Sequence, residues 1–455
     1  MLTNSWKARR VTATAAAIAL AALGLAACGT DGGGGQAGDP DKAELTWWSW
    51  SPESVLAEQY IADFNKEYPD IKVTYKQHSI DGYDAALRPA IQSSSGPDIF
   101  AVTPGSANGG SQVFGSGAID LTDTVKAALG EDWQEKLAGS SLDPTLTVDG
   151  KFVGLAVGAV YSGTLWINQD LFDELGLAAP ANLAEWKTVC EALRSADHGC
   201  FVHGAGQAVF NLDVLHAIAN QVNPGLYVKA SRGEAKWNDP DIVKAFEVWK
   251  QLFDEGIMQE GALGLQQYPD ANNLFMDESY GMIWMGTWYT QNTIVETAVA
   301  AMEAAGVTDP EAFTMVPIIF PDVVGDGRPS QMYGDADWAL AISANSKNQE
   351  AAKTFVTWLT TSQVGQQKVG DLLNQIPSLK GIEPDMSQIN LVNPDVQTPA
   401  ISELYANATS SDEPRLASVS ADLNTAIQLA TTAVAGGQQT AQEACDELQQ
   451  KFEAM

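Results

Sequence analysis

Residues 45–75 read LTWWSWSPESVLAEQYIADFNKEYPDIKVTY. Leu45–Trp50 is an apolar run suited to a buried strand. Ser51-Pro52-Glu53 then supplies a helix start, with Ser as the N-cap and Pro at the first helical position, where its missing N–H costs nothing. Leu56, Tyr60 and Phe64 follow at helical spacing, and Pro69 ends the segment. Ile71–Tyr75 alternates apolar and polar residues, the period of a half-buried strand. Strand, helix and strand in that order predict two parallel strands joined by a right-handed crossover.

The same alternation runs outward from this unit. Pro97–Val102, Phe152–Val157, Thr164–Ile167, Tyr280–Met285 and Trp338–Ile342 read as strands. Leu183–Leu193, Ile242–Phe253 and Gln349–Leu359 carry apolar residues at helical spacing. Strands and helices alternating over roughly 400 residues predict an α/β protein of open sheets. A chain of that length divides better into two lobes than into one sheet, and it contains no internal repeat.

The N-terminal end sets the compartment. Lys7, Arg9 and Arg10 precede an apolar, Ala-rich run from Val11 to Ala27, and Leu25-Ala26-Ala27-Cys28-Gly29 follows the pattern of a secretory cleavage site. Residues 1–27 are therefore expected to be a signal peptide. Its route, general secretion or twin-arginine export, is open. Residues 28–43, rich in Gly and Asp, read as a flexible tether. No other stretch reaches the ~20 apolar residues of a membrane-spanning helix.

The full chain has 25 Lys and Arg against 57 Asp and Glu, a formal net charge of −32, and loses three cations with the signal peptide. An acidic surface is a poor match for nucleic acid or for polyanionic substrates, and a neutral solute fits best. No G-x-x-x-x-G-K-[ST], H-E-x-x-H or G-x-S-x-G motif is present, and no carboxylate pair stands out as catalytic. No cofactor is expected and no metal site: His198, Cys200 and His203 match no standard ligand spacing. Cys190 and Cys200 either close a small disulfide loop or remain two buried thiols. Cys445 is expected to be buried in a helix.

Aromatic and polar residues gather at the predicted strand ends, where open α/β sheets bind ligands. Trp48 and Trp50 follow the first strand and Thr103–Ser106 the third. Tyr161 precedes Leu165–Asn168, Trp288 follows Met282–Met285, and Tyr333, Asp335 and Asp337 lead into Trp338–Ile342. Aromatic faces with carboxylate and amide acceptors suit a sugar, which has C–H patches on one face and hydroxyls at its rim. Any one of these aromatics is equally explained by core packing; their shared position carries the reading.

Five segments, in order, resemble the carbohydrate branch of the family-one extracellular solute-binding proteins, the group that includes maltodextrin-binding protein. They are Ser94-Ser95-Gly96-Pro97-Asp98-Ile99; Gly150-Lys151-Phe152 with Leu165–Phe172; Phe275–Met282; Gly286-Thr287-Trp288; and Ala341-Ile342-Ser343 with Ser346-Lys347 and Glu350-Ala351-Ala352. Ile167 stands where the family has Tyr, and Glu278-Ser279-Tyr280 replaces its usual Gly-Lys-Ala.

The resemblance implies a two-lobed, type II periplasmic-binding-protein-like fold, each lobe an open, mostly parallel sheet flanked by helices. The N-terminal lobe would comprise 44–158 and about 318–358, the C-terminal lobe 159–317 and about 359–455, with hinges near Gly158 and Pro317. Ligand contacts are implied for Trp48 or Trp50, Thr103, Ser106, Tyr333, Asp335 and Asp337 from one lobe, and for Tyr161 and Trp288 from the other. Cys28 resembles a lipobox cysteine, implying a monomeric lipoprotein anchored on the outer face of the cell membrane. It would capture a mono- or oligosaccharide without reacting with it and pass it to an ABC permease, indirectly coupled to the cytoplasmic ATPase. The alternatives are a polyamine or peptide ligand, or a surface-anchored glycosidase.

Overall fold

The computed structural model describes residues 42–455 apart from residues 107, 329, 417 and 418. The expected signal peptide, the lipobox Cys28 and nearly all of the tether lie outside the described residues.

In chain order the strands are β1 (Ala43–Ser49), β2 (Ile71–Gln77), β3 (Ile99–Val102), β4 (Thr147–Val148), β5 (Lys151–Phe152), β6 (Leu155–Ala156), β7 (Gly158–Ser162), β8 (Thr164–Asn168), β9 (Gly199–Val202), β10 (Tyr280–Trp284), β11 (Met315–Ile319), β12 (Tyr333–Ala336), β13 (Ala339–Ile342) and β14 (Ile376–Pro377). A five-stranded sheet has the order β2-β1-β3-β13-β6, and a four-stranded sheet the order β11-β8-β10-β9. Each has its own apolar core. Trp47, Tyr60, Phe100, Trp338 and Phe355 pack on the first; Trp186, Phe246, Trp249, Trp284 and Phe320 pack on the second.

In each sheet one strand runs against the rest. β13 is antiparallel to both β3 and β6, and β8 is antiparallel to both β10 and β11, while β1, β2 and β3 are parallel, as are β9 and β10. β8 follows β7 after Gly163 alone, and β13 follows β12 after two residues.

The opening unit folds as β1, the helix Ser54–Glu67 and β2, with Thr46 facing Thr74 in parallel register. The helix begins at Ser54 with Glu53 in the cap position, two residues later than Ser51-Pro52 suggested. Ser51–Glu53 instead turns the chain, with the Tyr75 hydroxyl donating to Pro52 O at 2.6 Å. The predicted strand 152–157 is split. Gly154 lies so close to Val102 and Ala339 that a Cβ would approach them to 2.9 and 3.0 Å, and the chain is broken there into β5 and β6.

A third sheet, ordered β12-β7-β14, joins the two halves. Tyr333 faces Ser162 and Ile376 faces Ala159 across antiparallel pairs. Its existence moves two expected boundaries. The crossing expected near Pro317 comes later, because β11 still pairs with β8, and Phe320 and Val323 belong to the second core. The crossing expected near 359 also comes later: the helix Gln363–Asp371 continues the first half, with Val369 and Leu372 in its core. In both cases apolar packing keeps the segment with the sheet it has already covered, and the chain leaves at β12 and β14.

Candidate functional site

A cavity of about 570 Å³ opens on one side of the crossover sheet. The turn after β1 delivers Trp50 and Glu53 to it, and the segment after β10 delivers Trp288. Trp50 stands edge-on to the buried Tyr83 at 4.9 Å between ring centroids. Trp288 is held from below by Phe210 at 6.2 Å. It needs Gly286 beneath it, since a Cβ there would come within 2.2 Å of the Trp288 ring.

Arg415 supplies a cation. Its guanidinium carbon sits 4.6 Å from the centre of the Trp288 ring, a cation–π geometry. The side chain is only 8 % exposed, and its partner Asp213 1 %. Nε donates to both Asp213 oxygens at 2.9 and 3.1 Å, and Nη2 to Oδ2 at 2.8 Å. The loop bearing Arg415 is tied down on two sides. Asp335 accepts the backbone N–H groups of Arg415 and Leu416 at 3.0 and 2.5 Å. Glu413 accepts from Asn220 Nδ2 at 3.1 Å and lies 2.7 Å from His216 Nε2. Asp213, His216 and Asn220 share one face of the helix Ala208–Val222, so that helix fixes the cation in the cavity wall.

Asp337, just past β12, is the carboxylate of the cavity floor. Gln375 Nε2 donates to its Oδ2 at 3.2 Å. Burial pushes its pKa up to about 6, with Arg415, Gln375 and Trp50 pulling the other way. Asn374, Gln291, Asn292 and Asn272 add amides to the lining. At the mouth, Gln207 Nε2 donates to Asp81 Oδ2 at 3.1 Å, linking a helix of the first half to the second.

Of the residues singled out from sequence, Trp50, Trp288 and Asp337 meet in this cavity. Tyr161 and Asp335 line a different cavity, of about 960 Å³, with Ser140, Lys380, Glu383 and Tyr405. That larger space lies against Gly334 and Ile376 of the crossover sheet and is lined by no tryptophan among the described residues. Trp48 packs on His78 at 4.7 Å with Lys76 over its ring, outside the cleft. Thr103 is buried and donates to Asn108 O at 2.9 Å, and Ser106 lies in the same loop away from the cavity. Tyr333 is fully buried, stacked on His216 at 3.8 Å with its hydroxyl donating to Asp213 O. The alternation of a strand sends neighbouring residues to opposite faces, so proximity to a strand end alone did not separate these. Cys190 and Cys200 are joined in a disulfide, which closes Cys200 to metal binding. Cys445 is buried in the helix Ala441–Glu453.

Such a cleft can hold a solute with a flat apolar face between two indoles. It offers acceptors from Asp337 and Glu53, donors from Arg415, and amides that do either.

The profile of the bacterial extracellular solute-binding proteins matches residues 49–366 of the chain. The multiple sugar-binding protein of Streptococcus mutans is 26% identical over 356 residues, covering 76% of this chain and 77% of that protein. A chitin oligosaccharide binding protein superposes with a TM-score of 0.69 at 21% identity, covering 91% of this chain and 99% of the other. The maltose-bound MalE3 protein of T. maritima superposes with a TM-score of 0.70 at 18% identity, covering 90% and 99%.

Proposed function

The chain belongs to the bacterial extracellular solute-binding proteins, and on that premise we propose that it captures a saccharide in the Trp50–Trp288 cleft and delivers it to the membrane permease of an ABC importer. The observation that carries this reading is the pair of indoles supplied by opposite halves around Asp337 and Arg415. A pyranose ring presents C–H groups to the indole faces and hydroxyls to the charged groups. Each hydroxyl that replaces water at a buried partner is worth about 1 kcal/mol, and more at a charged one. A likeness to proteins named for sugars points the same way.

The lobes turn about the β12-β7-β14 sheet, and a ligand touching both favours the closed form by its differential affinity. Cys28 is the lipid attachment point, and Leu25–Gly29 supports anchoring on the outer face of the membrane. The protein performs no reaction of its own.

A polyamine is the competing ligand suggested by the acidic composition. Charge alone does not separate the two ligands, because Arg415 is neutralised by Asp213 while Glu53, Asp81 and Asp337 line the same cleft. A thermal-shift screen of saccharides, polyamines and peptides against the mature chain, followed by calorimetry, tests the proposal. Saccharide binding in the micromolar range, about −8 kcal/mol, is expected, with the sugar recovered intact. Stabilisation by a polyamine or peptide alone, or cleavage of an oligosaccharide on long incubation, would sink it.

A further inference from the structure

The polar end of the cleft is built on the crossover. Asp337 directly follows β12, Asn374 lies two residues before β14, and the Arg415 backbone hangs from Asp335 of β12. The indoles come instead from turns after strands of the two large sheets.

Asn374 has an unusual environment. It is only 1 % exposed, yet it forms part of the cavity wall. Its Nδ2 donates to Gln291 Oε1 at 3.1 Å, and Gln291 lines the same cavity. Its Oδ1 is buried and has no hydrogen-bond partner among the described residues. Native proteins pair the great majority of buried polar side-chain atoms, and an orphan in a cavity wall asks for a partner from outside the chain. The next residue, Gln375, donates to Asp337. Two acceptors, one neutral and one a carboxylate, thus line the same cleft from segments that flank the crossover strands.

We infer that Asn374 is a specificity-determining residue whose Oδ1 accepts a hydroxyl proton from the sugar ring seated at the crossover end of the cleft, beside Asp337. The inference rests on the saccharide reading of the cleft. Trp50 and Trp288 grip a ring by its C–H face, an interaction that hardly distinguishes one sugar from another. A directional acceptor that is left unpaired by the wrong sugar does distinguish them. Asn374 travels with the crossover and not with a lobe, so its loss changes which sugar binds and leaves the extent of closure alone.

The test starts from the tightest saccharide found for the mature protein. Its monodeoxy derivatives are titrated by calorimetry into the wild type and into Asn374→Leu, which keeps the branched shape and removes the acceptor. One deoxygenation should cost the wild type about tenfold in Kd, the scale of a single lost hydrogen bond. Asn374→Leu should lose a similar factor toward the parent sugar, should no longer distinguish it from that one deoxy sugar, and should close to the same extent by small-angle scattering. An unchanged Kd in the variant, or wild-type discrimination retained at every hydroxyl, overturns the inference. Should the variant not fold, the wild-type deoxy series decides alone, and no position costing more than about twofold overturns it equally. Failure of the wild type to bind any saccharide is a different result. It removes the saccharide reading, and the role given to Asn374 falls with it.

Discussion

Trp288 touches Arg415 on one side and the cleft on the other, so its removal has a double effect. Trp288→Ala is expected to weaken saccharide binding by about 2–3 kcal/mol, as loss of a central aromatic anchor does; calorimetry with an unchanged dissociation constant would exclude it from the site. Asp337 makes binding depend on pH. Its pKa is raised to about 6 by burial, and the ionised carboxylate is the better acceptor for a hydroxyl. Affinity should therefore fall as pH drops through about 6 and level off above it, and Asp337→Asn should flatten the profile. His78 also lines the cavity, but burial and Lys76 lower its pKa, and the Asn variant separates the two. In the empty protein the sign for stability is the reverse of the usual carboxylate. The folded pKa lies above the unfolded one, so the contribution is present at low pH and lost as pH rises through about 6. Trp50, Trp288 and Asp337 were legible because each sits at a strand end of recognisable pattern. Arg415 and Asn374 lie in segments with no periodicity, and their place in the cleft is set by Asp213, Asp335 and Gln291, 80 or more residues away in sequence.

The helix Ala208–Val222 shows how an element escapes sequence reading. Nearly every residue of it is buried, so it presents no polar face and no amphipathic period, yet it carries Phe210 into the cleft and Asp213 to Arg415. Helices with one wet face, such as Pro240–Asp254 and Gln349–Thr361, were found within two residues of their ends. The disulfide links the helix Leu183–Ser195 to β9. Closing so short a loop stabilises by about 2–3 kcal/mol in the chain-entropy account, so Cys190→Ser should lower the melting temperature by several degrees with little effect on sugar affinity. An unchanged melting temperature, or a lost ligand response in a folded variant, would contradict this. β7 depends on Gly158, where a Cβ would come within 2.5 Å of Ile376 O; a side chain there would pry β14 from the crossover.

The whole molecule places its ligand groups around a joint. Gln207 reaches Asp81 across the mouth, and Ile80 of the same helix packs against the core of the second half, so the two halves already touch over the cleft. Saccharide should shift the population toward the closed form, read as a smaller radius of gyration by small-angle scattering. The Gln207→Ala variant should bind more weakly while the ligand-bound scattering profile stays the same. A radius that does not respond to a saturating sugar would remove the clamp mechanism.

By itself the sequence determined the α/β class, the division into two lobes and the family, and it pointed to aromatic residues at strand ends. These follow from local periodicity and from short motifs, which need no knowledge of distant contacts. Only the tertiary structure decided where the chain crosses between halves, which of the strand-end residues face the cleft, and that Arg415 and Asn374 join them. Those outcomes depend on which apolar surface each segment covers and on ion pairs and hydrogen bonds closed across hundreds of residues, and no local pattern encodes them.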